Sequence, residues 1–230
     1  MSAAKRKSGV VHAAGQVASS IQPAPAKDID HTTIFTIGHS TRPFAEFLAL
    51  LQAYGVRHLV DVRTIPRSRH NPQFAQDQLG PALEAAGIHY SHAPELGGLR
   101  HARRDSANGA WRNASFRGYA DYMQTPAFAT ALDDLIAQGK EQPTAIMCAE
   151  AVPWRCHRSL IADALLVHGV RVEEIASTTR VQPHRLTPWA KVDGETITYP
   201  PQADPVLEQT DDGHRSGKSG KRAGQAAKRN

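Results

Sequence analysis

Residues 33–62 read TIFTIGHSTRPFAEFLALLQAYGVRHLVDV, and the reading of this stretch decides the fold class. Residues 33–37 are β-branched and aromatic, a short strand ended by Gly38. Phe44, Phe47, Leu48, Leu51 and Tyr54 then recur at helical spacing, with Ser40 or Thr41 as the expected N-cap and Gly55 as the stop. Residues 57–62 return to a strand pattern. Strand, helix and strand in one run is the unit from which parallel sheets are built.

Downstream the alternation continues. Residues 76–86 predict a helix stopped by Gly87, and 88–90 a third strand. Residues 93–116 form a long polar stretch without a period. Residues 117–138 look helical, with Pro126 opening a second segment whose Phe128, Leu132, Leu135 and Ile136 share a face. Residues 144–148 are a buried-type strand, 156–168 a helix stopped by Gly169, and Val170-Arg171-Val172 begins the last strand. The expectation is an α/β fold: a three-layer, mostly parallel sheet of about five strands with helices on both faces, forming a single domain over 32–200. The chain is too short for an eightfold barrel of typical size.

Outward of this region the composition changes. Residues 1–31 are rich in Ala, Ser, Gln and Pro, and 201–230 mix Gly, Ser, Lys, Arg and Gln. Neither offsets its ordering entropy by burying apolar surface, so both read as disordered tails, the second one basic. The formal charge of the 230 residues is +5, yet 32–200 hold 17 basic against 16 acidic residues. The basicity therefore sits mostly in the tails and is weak support for a nucleic-acid surface on the fold. Two cysteines make no secreted disulfide framework, no apolar run reaches the length of a membrane span, and no apolar segment follows the N-terminal charges. A cytoplasmic protein without a membrane partner is the expectation.

Parallel sheets place ligand sites beyond the carboxyl ends of their strands. After the first strand come His39, Ser40 and Arg42; at the end of the second, Asp61, Arg63 and then Pro66-Arg67-Ser68-Arg69. After the third comes Glu95-Leu96-Gly97-Gly98, and after the fourth Cys148-Ala149-Glu150 and Trp154-Arg155-Cys156-His157-Arg158. Reactive and charged side chains thus gather on one edge of the sheet.

Thr36-Ile37-Gly38-His39-Ser40, Asp61-Val62-Arg63 with Pro66 and Ser68-Arg69, Leu96-Gly97-Gly98, Cys148-Ala149-Glu150 and Cys156-His157-Arg158, in this order, resemble the domain of unknown function family 488. The resemblance spans about residues 33–176. It implies an α/β fold with these motif positions as the site, and supplies no reaction.

Each element carries two readings. Cys156 at a helix start beside Arg155 and Arg158 suits a thiolate nucleophile or redox thiol, or is a packing residue. Cys148 reads first as a small core residue at a strand end. His39 is a proton carrier or a turn residue bonded to backbone. Asp61 and Glu150 serve as acid or base, or more commonly as ion-pair partners of Arg63, Arg155 or Arg158. Gly97 and Gly98 permit a positive-φ turn or close ligand approach. Arg155 and Arg158 with Arg42, Arg63 and Arg69 opposite suit an anion. The interval from Cys148 to Arg155 is one residue longer than the phosphatase Cys-x5-Arg loop and lacks glycine, so that analogy is not carried over. Zinc on His39, Cys148, Cys156 and His157 is a minority reading, because Cys-x7-Cys-His lacks paired structural-zinc spacing. The stretch 99–116 is basic, with Trp111, and suits an anionic substrate or nucleic acid.

The leading expectation is an enzyme acting on a small anionic substrate, a nucleotide or phosphorylated metabolite. His39, Cys148, Glu150, Cys156 and His157 form its catalytic set. Ser40, Arg42, Asp61, Arg63, Arg69, Gly97, Gly98, Arg155 and Arg158 bind the substrate. A nucleic-acid-associated protein, using the basic loop and tails, is the alternative; a ligand-binding module without turnover is another. No cofactor or oligomeric state is readable.

Overall fold

The computed structural model describes residues 32–202. The stretches read as disordered, 1–31 and 201–230, lie outside the described residues apart from residues 201 and 202. The elements follow in the order β1 (Thr33–Gly38), α1 (Phe44–Ala53), β2 (His58–Asp61), α2 (Gln76–Ala85), β3 (His89–His92), α3 (Ala114–Tyr122) and α4 (Pro126–Glu141). Then come β4 (Thr144–Cys148), α5 (Arg158–Val167), β5 (Arg171–Ser177), β6 (Arg180–Pro183), β7 (Lys191–Asp193) and β8 (Thr196–Thr198).

The main sheet has the order β3-β2-β4-β1-β5-β6. Its first five members run parallel, and β6 pairs antiparallel with β5. Both β2 and β4 are buried along their whole length, as strands covered on both faces must be. One face packs Phe47, Leu50 and Leu51 of α1 and Leu79 and Leu83 of α2. The other packs Tyr119 of α3, Phe128 and Leu132 of α4, and Leu160 and Ile161 of α5. The fold is therefore α/β, three layers deep.

Two local expectations are corrected. Neither Ser40 nor Thr41 caps α1: Pro43 is the N-cap, while Ser40 is a turn residue at φ 51°. The second segment expected to open at Pro126 is α4, and the helix before it starts at Ala114; Asn113 and Thr125 cap the two starts through side-chain oxygens. The strand at 171 is not the last. The added β6 is an exposed edge ending in Pro183, and β7–β8 is a hairpin of three-residue strands turning at Gly194-Glu195, with Gly194 at φ 58°. Such short elements carry too little period to be read. They matter to packing all the same: Ile197 and Tyr199 are buried on the α5 face.

The winding creates a crevice. The connection leaving β2 runs to β3 through α2, on one face. The connection leaving β4 runs the opposite way, to β5 through α5, on the other face. The loops after β2 and β4 therefore diverge, which opens a gap at the carboxyl end of the sheet.

Candidate functional site

Register brings the strand ends level. Gly38 lies opposite Cys148, and Asp61 opposite both Met147 and His92. Pairing continues past the strands: His39 N–H donates to the Cys148 carbonyl at 3.0 Å and Ser40 N–H to the Ala149 carbonyl at 3.0 Å. This close approach needs Gly38, because a Cβ there would collide with the Glu150 main-chain oxygen. A cleft of about 430 Å³ opens at the gap, and Arg63, Cys148, Glu150, Arg155, Cys156 and His157 all line it.

At its base the two free thiols touch, Sγ to Sγ, at 2.7 Å. They are 3% and 6% exposed, Cys148 the less so. Donors converge on Cys148. The Arg158 Nε–H reaches its sulfur at 3.1 Å and the Glu150 amide at 3.3 Å. Arg158 is wholly buried and also donates to the Glu150 main-chain carbonyl at 2.8 Å and to the Thr36 hydroxyl. The thiol hydrogen bond from Cys156, then the Arg158 charge, draw Cys148 well below the ordinary thiol range, against the opposing effect of burial. Cys156 is pushed the other way by its bond to Cys148 and by burial. The donors that favour a thiolate, which the sequence reading set beside Cys156, converge on Cys148. Arg158 is two residues from Cys156 in sequence, but its side chain runs to the end of β4.

His157 sits between Cys156 and the β2 end. Its Nε2 bonds to the Val62 carbonyl at 2.9 Å, which as N–H donor leaves Nδ1 as the acceptor facing the Cys156 sulfur at 3.5 Å. Burial lowers its pKa to about 4, so the ring is neutral near pH 7. Gly98 makes room for it: a Cβ there would come within 2.5 Å of Nδ1. Neither Gly97 nor Gly98 is in a positive-φ turn, and the close approach they permit is to Thr64 and His157.

Asp61 and Arg63 form a buried, multiply bonded pair. The Arg63 Nε–H donates to Asp61 Oδ1 at 2.8 Å, and Nη2 meets Oδ2 and the Phe74 carbonyl. Tyr90 adds a hydroxyl donor to the same carboxylate at 2.8 Å. His39 lies behind Arg63, 2% exposed, with Nδ1 on the Ser40 carbonyl and Nε2 3.3 Å from Arg63 Nη1. It stacks on Phe74 at 4.1 Å, and burial pulls its pKa to about 4. His39 and Asp61 therefore orient Arg63 and do not line the cleft.

The other substrate-binding positions divide. Arg155 is exposed on the cleft wall. Arg42 turns back to the Gly38 carbonyl and Glu46, and Arg69 lines an adjoining groove with Ser68 and Asp77. Ser40 and Gly97 are not on the cleft wall, and Arg158 lies beneath the thiols. The Glu150 carboxylate bonds the Val152 amide, and what Arg158 meets is the Glu150 main-chain carbonyl. Sequence reasoning left out Arg67, Ile65, Leu99 and Phe116, which also line the cleft. Arg67 stood within the quoted 66–69 run, and its charge was the available signal; the apolar wall residues carried none. In the 99–116 stretch, Arg100 lies over the Tyr122 ring and donates to the Pro94, Glu95 and Gly97 carbonyls, and Arg103 pairs with Asp105. Trp111 packs against Trp189 and Tyr199. Among the described residues, no group of three or more His, Cys, Asp or Glu is arranged to hold a metal ion, and no helix is long and apolar enough to cross a membrane.

The family model described as "Domain of unknown function DUF488" matches residues 43–165, more than half of the chain, and the chain belongs to that family. The match begins after the Thr36–Ser40 motif and takes in every segment that lines the cleft. No curated protein and no solved structure matches the chain.

Proposed function

We propose that this DUF488 protein is a thiol-dependent enzyme acting on a small anionic substrate, with Cys148 as nucleophile and Cys156 as the proton-bearing partner thiol. The observation that carries the reading is the convergence of the Arg158 guanidinium, the Glu150 amide and the Cys156 thiol on one sulfur. A thiolate, not a thiol, attacks electrophiles, and these donors hold the charge in place before substrate arrives. Arg155 and Arg67 on the walls supply free positive charge for the substrate anion. The exposed Glu150 carboxylate, at the cleft, is placed to exchange a proton with a leaving group. Arg63, fixed by Asp61 and His39, shapes the floor as a positioning residue.

Alkylation by iodoacetamide across a pH series, with the modified peptide mapped by mass spectrometry, tests this. Cys148 reacts first, with an inflection below the ordinary thiol value of about 8.5. Arg158→Met moves that inflection up. If Cys156 is labelled ahead of Cys148, or Cys148 stays inert up to the ordinary range, the nucleophile assignment fails.

A further inference from the structure

The contact between the two sulfurs has a use that a single nucleophile does not need. We infer that the cleft reduces disulfides of anionic low-molecular-weight thiols, with Cys148 as attacking thiolate and Cys156 as resolving thiol. The inference rests on the thiolate reading above and specifies its substrate class.

Three observations carry it. The sulfurs are 2.7 Å apart, within about an ångström of the roughly 2.05 Å disulfide bond, so closure needs little movement. Both thiols are free and both line the same cleft. Finally, Cys156 has its own proton acceptor, His157 Nδ1 at 3.5 Å, held in that tautomer by the Val62 carbonyl. A buried packing cysteine needs no such neighbour. The cleft walls suit the ligand: Ile65, Leu99 and Phe116 are apolar, and Arg67 and Arg155 are cationic.

The steps balance. The Cys148 thiolate attacks one sulfur of R–S–S–R′, forming Cys148–S–S–R and expelling R′–S⁻. Cys148 has then lost its negative charge, which removes the interaction that kept the Cys156 proton in place. Cys156 passes that proton through His157 Nδ1 to the departing thiolate. The Cys156 thiolate attacks the Cys148 sulfur, the Cys148–SR bond breaks, and R–S⁻ leaves, taking a proton from solvent. The protein dithiol is oxidised by two electrons to an internal disulfide, and R–S–S–R′ is reduced to two thiols. Two further small thiols reverse the sequence and restore the dithiol. The order is built in: Cys156 is held protonated until Cys148 has reacted.

The test uses the full chain and the anionic disulfide dithiobis(nitrobenzoate). The reduced protein is expected to release two equivalents of coloured thiolate, end without adduct, and show a Cys148–Cys156 peptide by mass mapping. Cys156→Ser is expected to release one equivalent and retain the probe on Cys148. The neutral bis(hydroxyethyl) disulfide is expected to react about tenfold more slowly than the anionic probe, with Arg155→Ala removing most of that preference. A wild-type product carrying two adducts and no internal disulfide overturns the inference. So does a stable adduct on Cys156 alone. Equal rates for the two probes overturn the anionic assignment. Fast iodoacetamide labelling of Cys148 alongside failure to form the internal disulfide would leave the nucleophile reading intact and remove only this one. Slow labelling would remove both. The wild-type mapping needs no variant, so the inference stays exposed even if a substitution prevents folding.

Discussion

A guanidinium with no access to water needs an anion, and at the residue scale that is the main constraint on this site. Arg158 is 0% exposed. Its contacts at Thr36 and Glu150 are a hydroxyl and a main-chain carbonyl, both neutral, and the remaining partner is the Cys148 sulfur. Glu174 is nearby, but burial raises its carboxyl to about 7, which makes it a weak counterion at neutral pH. On the nucleophile reading proposed above, the Cys148 thiolate is the partner that offsets the Arg158 charge. The two cysteines should then differ sharply in their tolerance of substitution. Cys148→Ser leaves a buried cation unpaired and is expected to cost about 3 kcal/mol or more. Cys156→Ser keeps a hydroxyl donor beside Cys148 and is expected to stay within about 1 kcal/mol of wild type. Urea unfolding of the reduced proteins measures both. Equal losses would show that Arg158 finds its counter-charge elsewhere.

The elements hold the site through backbone closeness, and two glycines set that closeness. Gly38 ends β1 where the loop after β4 passes over it, and Gly98 lies against the His157 ring. Gly38→Ala drives a methyl into the Glu150 carbonyl, which cannot rotate away as a side chain would. The expected cost is about 3 kcal/mol, the upper end for overpacking. The loop that presents Glu150 N–H to Cys148 shifts with it, so iodoacetamide labelling at neutral pH slows as well. A variant that unfolds and labels like wild type would show the loop free to re-seat. These two glycines also mark how far the sequence could be read. Strand ends were legible because strand-type runs such as 33–37 and 144–148 give way within two residues to polar ones, His39 and Glu150. The gathering of chemistry on one sheet edge followed from that alone. What Gly38 and Gly98 accommodate was not legible, since a missing Cβ does not say which partner fills its space. The address of Arg158 was hidden for a related reason. Sequence adjacency pointed it at Cys156, but α5 starts two residues later and carries the side chain across to β4. The hairpin β7–β8 went unread because three-residue strands show no period.

At the scale of the whole molecule, buried imidazoles on the carboxyl edge of the sheet link stability to pH. His39 and His157 are both held near pKa 4 by burial, against 6.5 in an open chain. Between pH 6.5 and 4 the unfolded chain therefore binds more protons than the folded one. Their contribution to stability is complete above pH 6.5 and is lost as the pH falls through 4. His58, lowered chiefly by burial, acts in the same direction. Glu174 acts in the other: its folded value of about 7 lies above the ordinary 4.5, so its penalty is relieved as the pH falls from 7. Three imidazoles against one carboxyl set the net sign. The melting temperature is expected to fall steadily between pH 6.5 and 4.5. The slope, more than the absolute melting temperature, reports on these groups, because a neutral substitute removes a proton-linked term whatever it does to packing. His39→Gln and His157→Gln should each flatten the slope, and combined they should flatten it further. Glu174→Gln should steepen it. A wild-type melting temperature that holds level or rises on acidification would mean that the rings take up protons in the folded state. His157 would then no longer be the neutral acceptor that the resolving thiol requires, so one titration of stability bears on both the fold and the chemistry placed at its edge.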